Sequence, residues 1–186
     1  MIRRVCVVGA GAIGSLLAAH LARVAEVAVL TRREEHARAL NAEGLRVSGR
    51  GDFVARVTAS SDPGSVGDCD LVILATKATE VDAAAGRLAG RFDGAAVMTV
   101  QNGLGAEAIV RRHGDWPLIS SVTFMSGTRH SDTHVEYILD TVEPGEVGRE
   151  ERPDRPAPDH ADPHRPSPCR PARLTVGLTS TRPPGP

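Results

Sequence analysis

The sequence predicts an α/β fold that is built on a Rossmann-like, doubly wound and mainly parallel sheet. Short apolar runs occur at residues 5–8, 27–30, 71–75, 95–100 and 118–123. They alternate with segments of helical periodicity, which is the pattern of βα units around a sheet that is buried on both faces. The first run leads directly into a glycine-rich turn that opens a helix.

The segment after the first run is predicted to be a helix whose apolar face packs on the sheet. That face consists of the residues that recur at helical spacing, namely Ile13, Leu16, Leu17, Leu21 and Val24. A second helix is predicted over residues 34–43, because acidic residues occupy its first turn and Gly44 follows its end. Shorter helices are predicted over residues 81–88 and 106–112.

An antiparallel hairpin is predicted between the second helix and the third apolar run. Residues 45–47 and 53–57 have strand character and flank Gly49-Arg50-Gly51, which has the composition of a turn. Residues 135–139 are predicted to form a further strand, after which the periodicity stops. We therefore expect one folded domain over residues 1–142.

Residues 143–186 are predicted to form a disordered tail that is rich in Pro and Arg. Ten of the 13 prolines lie between residues 150 and 186, and all five aromatic residues lie before residue 138. This segment contains too few apolar side chains for their burial to offset the conformational entropy that ordering it would cost. The tail contains His160, His164 and Cys169, but Pro163 interrupts the helix that a His-x3-His zinc site requires, so no metal site is predicted.

The charge and the cysteine content argue against several classes of partner. Lys plus Arg number 22 and Asp plus Glu number 23, so the net charge of -1 provides no basic field for nucleic acid or for an anionic membrane. No apolar stretch has the roughly 18 residues that a membrane span needs. The three cysteines form neither a disulfide framework nor a CxxC site. These features predict a cytoplasmic protein without nucleic-acid or membrane partners.

The turn after the first strand has the GxGxxG pattern of dinucleotide-binding folds. It consists of Gly9, Ala10, Gly11, Ala12, Ile13 and Gly14. Gly9 permits the tight turn, Gly11 allows a pyrophosphate to approach the backbone, and Gly14 lets the helix pack closely on the strand. The N–H groups and the dipole at the start of the helix favour a bound phosphate. The alternative is a Gly- and Ala-rich turn without a ligand.

The residues after the second strand favour NADP over NAD as the ligand of this turn. NAD-binding sheets place Asp or Glu there to accept a hydrogen bond from the ribose 2′-hydroxyl, whereas this chain has Thr31, Arg32 and Arg33. A carboxylate would repel the 2′-phosphate of NADP, and a hydrogen bond to a charged group contributes about 1.5–3 kcal/mol. The alternative is that both arginines begin a solvated helix and pair with Glu34 or Glu35.

Three further polar segments follow the third, fourth and fifth apolar runs, at the strand ends where doubly wound sheets bind ligands. They are Ala75-Thr76-Lys77-Ala78, Gln101-Asn102-Gly103-Leu104-Gly105 and residues 121–127. In this order, together with the glycine turn and Arg32, these segments resemble the 2-dehydropantoate 2-reductase (ketopantoate reductase) family over about residues 1–140.

The resemblance implies roles for individual residues. Residues 9–14 would hold the pyrophosphate of NADPH, and Arg32 would bind its 2′-phosphate. Lys77 would contact the cofactor, Asn102 would lie near the nicotinamide ribose and the substrate, and Ser126 would lie near the carboxamide. Lys77 is the only lysine of the chain, which favours this role over that of a surface lysine. For Asn102, an Asn-Gly turn is an equal and compatible alternative.

The resemblance also implies a reaction, the NADPH-dependent reduction of ketopantoate to pantoate in pantothenate biosynthesis. In the family, a second, helical domain supplies the general-acid lysine and most contacts to the substrate. Residues 151–186 contain no Lys and no Asn. We therefore assign no catalytic residue. The sequence also assigns no oligomeric state. We expect a truncated or frameshifted member that is weak or inactive alone. The alternative is a non-catalytic NADP-binding or sensing module.

Overall fold

The computed structural model describes residues 1–103 and 105–139. In chain order the elements are β1 (Arg4–Val8), α1 (Ala12–Leu21), β2 (Glu26–Leu30), α2 (Glu34–Glu43), β3 (Leu45–Gly49), β4 (Phe53–Ala55), β5 (Thr58–Ser60), β6 (Leu71–Leu74), α3 (Val81–Leu88), β7 (Ala96–Thr99), α4 (Ala106–Val110), β8 (Leu118–Ser120), β9 (Ser126–Arg129) and β10 (His134–Leu139). Short 3₁₀ turns cover Pro63–Ser65 and Ala78–Glu80.

The main sheet has six strands in the order β5, β2, β1, β6, β7, β8. All neighbouring strands in it are parallel. Numbered along the main sheet alone, this order is 3-2-1-4-5-6, which is that of the doubly wound dinucleotide-binding fold. The predicted fold class is therefore confirmed. The first two strands that follow β1 in the main sheet, β2 and β5, lie on one side of it, and the later strands, which begin with β6, lie on the other. The point between β1 and β6 is therefore the topological switch point, where these sheets bind ligands.

Both faces of the main sheet are buried, which explains why its strands are unbroken apolar runs. Side chains alternate between the faces along β1. Val5 and Val7 belong to a core that includes residues of α1 and α2, whereas Cys6 and Val8 belong to a second core that includes residues of α3. The sheet is therefore covered by helices on both sides, and its strand ends are left to form a site.

The buried face of α1 agrees only in part with the predicted one. Leu16 is fully buried, as predicted. The other buried residues of α1 are small, namely Gly14, Ser15, Ala18 and Ala19. The predicted residues Ile13, Leu17 and Leu21 are half-buried, and Leu17 and Leu21 pack against the core as predicted. Val24 lies beyond the end of the helix and is 82% exposed, so its assignment to the packing face was wrong.

A second sheet has four strands in the order β4, β3, β10, β9. β3 and β4 form the predicted antiparallel hairpin. The strand predicted over residues 135–139 is β10, which pairs parallel to β3 and antiparallel to β9. Residues of α1 contact both sheets, so this helix lies between them. The glycine turn at the start of α1 is thus supported from two sides.

Several element boundaries differ from the predicted ones. Residues 53–57 were predicted as one strand, but β4 ends at Ala55 and a separate strand, β5, begins at Thr58 and pairs with β2. The run at 118–123 is a strand only over Leu118–Ser120, and the helix predicted over 106–112 ends at Val110. β9 was not predicted.

Some predictions concern residues outside the described part of the chain. The tail over residues 143–186, with His160, His164 and Cys169, lies there and stays a prediction. Among residues 1–103 and 105–139, no helix is long and apolar enough to span a membrane. The same residues contain no group of three His, Cys, Asp or Glu side chains that could hold a metal ion.

Candidate functional site

The glycine turn joins β1 to α1 in a close-packed geometry. Gly9 has a φ of +99°, a left-handed conformation that favours glycine. Its N–H donates to the carbonyl oxygen of Leu30 at 2.9 Å, which joins the turn to the end of β2. A Cβ atom on Gly14 would overlap the carbonyl oxygen of Gly9, whereas a Cβ atom on Gly11 would meet open space. The backbone is therefore accessible to a ligand at Gly11.

A cleft of about 520 Å³ opens at the carboxyl ends of β1, β2 and β6. Its volume lies within the range of roughly 300–1,000 Å³ that is usual for small-molecule sites. Six of the ten predicted site residues line it, namely Gly9, Ala10, Gly11, Ala12, Arg32 and Lys77. Ile13 and Gly14, in the first turn of α1, do not line it, and neither do Asn102 and Ser126.

Two buried side-chain atoms at these strand ends have no hydrogen-bond partner among the described residues, namely Oγ1 of Thr76 and Oε1 of Gln101. Thr76 lines the cleft. Nε2 of Gln101 donates to the carbonyl oxygens of Leu74 and Thr76, at 2.8 and 2.9 Å, which ties the loop after β7 to the end of β6. Because buried polar groups are normally paired, Oγ1 of Thr76 and the accessible backbone at Gly11 fit a polar ligand such as a dinucleotide in the cleft.

Arg32 follows β2 and forms an ion pair with Glu80, which lies in the 3₁₀ turn after β6. Nη1 of Arg32 donates to Oε2 of Glu80 at 3.0 Å. Since β2 and β6 lie on either side of β1, the pair connects the two sides of the cleft. In the described part of the chain neither arginine pairs with Glu34 or Glu35, the partners of the alternative interpretation. Arg32 pairs with Glu80 and Arg33 with Asp132, whereas Glu34 pairs with Arg38 at 3.5 Å.

Arg33 belongs to a cluster of charges around Asp132, in the turn between β9 and β10. Nη2 of Arg33 lies 2.6 and 2.8 Å from the two carboxylate oxygens of Asp132, and Nη1 of Arg129 lies 2.8 Å from Oδ1. Nε2 of His36 donates to the carbonyl oxygen of Asp132 at 2.9 Å. The cluster therefore joins α2 to the second sheet beside the cleft.

The titration of this cluster follows from its contacts. Burial raises the pKa of Asp132, but the hydrogen bonds from Arg33 and Arg129 and the charges around it lower the pKa more, so it lies below its usual value. Burial lowers the pKa of His36, and the attraction to Asp132 only partly offsets this. The carboxylate of Asp132 is thus charged at neutral pH and holds both arginines.

Lys77 is exposed at the end of β6 and lines the cleft. Within residues 1–103 and 105–139, its ammonium group has no ion-pair partner. An ammonium group at a strand end suits a phosphate or a carboxylate of a ligand.

Asn102 and Ser126 lie away from the lining of the cleft. Asn102 is exposed in the loop between β7 and α4, and Gly103 has a φ of +107°, which is the turn geometry of the alternative interpretation. Ser126 is the exposed first residue of β9. Their contacts to a cofactor stay predictions.

Several residues of the site were not predicted from the sequence. Arg129 and Glu80 line the cleft, and Asp132 holds Arg129 and Arg33. No local signal places Asp132, which is 99 positions from Arg33 in the chain. Glu80 lies three positions after Lys77, at the end of the short turn that follows it, but no local pattern links it to Arg32.

A family model for ketopantoate reductase PanE/ApbA matches residues 5–143. The 2-dehydropantoate 2-reductase of Halobacterium salinarum is 39% identical over 126 residues, which are 64% of this chain and 41% of that protein. The enzyme of the same name from Archaeoglobus fulgidus is 33% identical over 136 residues, which are 73% of this chain and 44% of that protein. The chain thus spans less than half the length of these relatives.

Solved structures agree with these matches. A probable 2-dehydropantoate 2-reductase from Bacillus subtilis has a TM-score of 0.62 and 27% identity, covering 72% of this chain and 46% of that one. The 2-dehydropantoate 2-reductase of Geobacter metallireducens has a TM-score of 0.64 and 29% identity, covering 73% and 46%. D-mandelate dehydrogenase, solved with NADH and anilino(oxo)acetate, shares the fold with a TM-score of 0.63 at 21% identity and covers 73% and 46%. The resemblance found in the sequence is confirmed, and the chain belongs to the ketopantoate reductase PanE/ApbA family.

Proposed function

We propose that this chain binds NADPH in the cleft at the ends of β1, β2 and β6, as the cofactor-binding part of a 2-dehydropantoate 2-reductase. The observation that carries the proposal is Arg32 at the end of β2, where NAD-binding sheets have a carboxylate. Arg32 lines the same cleft as the glycine turn. A pyrophosphate at the turn and a 2′-phosphate at Arg32 can therefore belong to one molecule.

The contacts of the cofactor follow from the order of the strands. The N–H groups at the start of α1 would bind the pyrophosphate. The ammonium group of Lys77 would bind a phosphate or the ribose near the end of β6. Asn102 and Ser126 would lie toward the nicotinamide, with Asn102 also contacting the substrate. NADPH supplies the hydride, and the part of this chain is to bind the cofactor and to orient it.

The proposed substrate is 2-dehydropantoate (ketopantoate), the 2-keto acid in the names of the relatives, and the product would be pantoate for pantothenate synthesis. Reduction of the keto group also needs a general acid, and a missing acid typically lowers the rate by about 10²–10⁴. We assign no residue to this task, and residues 151–186 contain no lysine. We therefore propose that these 186 residues alone bind NADPH but reduce ketopantoate slowly or not at all.

We also propose that the protein acts in the cytoplasm. The support is the absence of any disulfide framework in the sequence and the unpaired state of Cys6 and Cys69 among the described residues. Disulfides are rare in the reducing cytoplasm.

The proposal is tested by titrating the 186-residue chain with NADPH and NADH and by following NADPH oxidation with ketopantoate. We expect saturable binding with a preference for NADPH. Arg32→Gln should weaken NADPH binding by about tenfold or more, with little effect on NADH. Arg38→Gln is the matched control, because Arg38 is exposed on α2 and does not line the cleft.

Three outcomes would contradict parts of the proposal. The cleft is not the site if NADPH does not bind. Arg32 does not recognise the 2′-phosphate if NADH binds equally well and Arg32→Gln leaves the NADPH affinity unchanged. Binding with rapid ketopantoate-dependent turnover would contradict the expected low activity. Binding without any turnover is also expected for the alternative, a non-catalytic NADP-binding module. That alternative would be favoured if the affinity for NADPH is the same with and without added 2-keto acids.

A further inference from the structure

Glu80 is the one acidic side chain that lines the cleft in the part of the chain that the structure describes. The other charged lining residues are cationic, namely Arg32, Arg33, Lys77, Arg87 and Arg129. A single carboxylate among these cations lies within hydrogen-bond distance of Arg32, the residue proposed to bind the 2′-phosphate. This arrangement gives the carboxylate a direct influence on that phosphate.

Arg32 differs from the other arginines of the cleft in its partner. Arg33 and Arg129 are held by Asp132, which does not line the cleft, and Arg87 donates to the backbone carbonyl of Ser61. A ligand that displaced these bonds would have to break contacts with the surrounding protein. Arg32, by contrast, pairs with a side chain that itself faces the ligand space.

The pair between Arg32 and Glu80 is exposed, with 78% and 42% of the two side chains accessible. Ion pairs this exposed contribute little to stability, because water screens them and both side chains lose freedom. A bound phosphate can therefore replace Glu80 as the partner of Arg32. The replacement still has a cost, since the carboxylate remains close to the phosphate and repels it.

Glu80 also has the chemistry that recognises a ribose without a phosphate. Its bond to Arg32 uses Oε2. Carboxylate oxygens accept several hydrogen bonds, so Oε1 can accept one from a hydroxyl. In NAD-binding sheets an acidic residue accepts a hydrogen bond from the ribose 2′-hydroxyl in this way. Here the carboxylate would come from the turn after β6 instead of from the end of β2.

We propose that Glu80 sets the selectivity of the cleft between NADPH and NADH. With NADPH it competes with the 2′-phosphate for Arg32, and with NADH it accepts a hydrogen bond from the 2′-hydroxyl. Glu80 therefore reduces the preference for NADPH that Arg32 alone would give. The inference rests on the proposed function, namely that this cleft binds a nicotinamide dinucleotide.

The test compares dissociation constants of NADPH and NADH for the full chain and for Glu80→Gln. The amide keeps the shape of the side chain but removes the charge. We expect NADPH to bind about threefold more tightly and NADH about threefold more weakly. The ratio of the two constants should thus rise by about tenfold. An unchanged unfolding midpoint shows that the variant is folded.

Two further variants separate a local effect from a general change of charge. Glu26→Gln makes the same change at the amino end of β2, outside the cleft, and should leave the ratio unchanged. In an Arg32→Gln background, Glu80→Gln should gain less NADPH affinity, because no cation is released and only the repulsion between the carboxylate and the phosphate is removed.

The outcomes distinguish this inference from the proposed function. If the unaltered chain binds NADPH but Glu80→Gln leaves the ratio unchanged, the inference is wrong and the proposed function stands. An equal change in Glu26→Gln, or a full gain in the Arg32→Gln background, would also overturn it. If the unaltered chain binds neither dinucleotide, the inference falls together with the proposed function.

Discussion

Gly11 and Gly14 lie three positions apart in the same turn, but a methyl group would meet different surroundings at each. At Gly14 it would overlap the carbonyl oxygen of Gly9, and at Gly11 it would enter open space beside the cleft. Gly14→Ala should therefore destabilise the fold by about 1–3 kcal/mol, as overpacking does. Gly11 is the N-cap of α1, so Gly11→Ala should change stability by less than about 1 kcal/mol. It should weaken NADPH binding by at least about tenfold, since the methyl group would take the place of the pyrophosphate in the proposed complex.

Thermal unfolding and NADPH titration of the two variants check these expectations. The two variants should differ in which measurement changes. The thermal unfolding midpoint should fall mainly in Gly14→Ala, and the NADPH affinity should fall in Gly11→Ala without loss of structure. Wild-type affinity in Gly11→Ala would show that no pyrophosphate approaches this turn.

The position of a candidate residue was predictable where a local motif fixes it. Gly9, Gly11 and Arg32 line one cleft, because the turn and the end of the following strand are separated by one βα unit. The partner of Arg32 could not be predicted, since Glu80 comes from a different βα unit and meets Arg32 only through the order of the strands.

At the scale of elements, Leu16 provides the clearest test of the packing of α1. It is fully buried, and its side chain would meet a Cβ atom added to Gly127 of β9. Leu16→Ala should therefore destabilise the fold by about 2–5 kcal/mol. Val24→Ala is the control, because Val24 was assigned to the same face by its spacing but is exposed, and it should change stability by at most about 0.5 kcal/mol.

Denaturant unfolding of both variants measures these differences. Equal destabilisation by the two substitutions would contradict the position of α1 between the sheets. A small effect of Leu16→Ala would show that the second sheet adds little to the burial of this helix.

Elements with a strong local signal were predicted well. β1, β2, β6 and β7 are runs of apolar residues that are buried on both faces of the sheet, so composition alone locates them. β9 has the sequence Ser-Gly-Thr-Arg and is mostly exposed, so no alternation of apolar residues marks it. It is a strand because β10 provides its hydrogen-bond partners, and this pairing is a tertiary contact.

At the scale of the whole molecule, the domain boundary predicted near residue 142 can be tested by truncation. A chain that ends at residue 142 should keep the NADPH affinity and the unfolding midpoint of the full chain, because the sequence predicts no core after that point. A chain that ends at residue 133 should lose both, since it lacks β10, a central strand of the second sheet that contains the fully buried Val135.

Calorimetry and NADPH titration of both truncated chains provide the measurement. Loss of binding in the longer of the two chains would place part of the folded domain after residue 142 and would contradict the predicted boundary.

The parallel pairing of β10 with β3 has a consequence for synthesis on the ribosome. β3 ends at Gly49 and β10 begins at His134, a separation of 85 positions. At roughly 5–20 residues per second, about 4–17 s pass between the two strands. Throughout this interval the nascent hairpin of β3 and β4 has an unpaired edge, which is a template for aggregation. Pairing of β10 with β3 is therefore the step that removes this open edge from the folding chain.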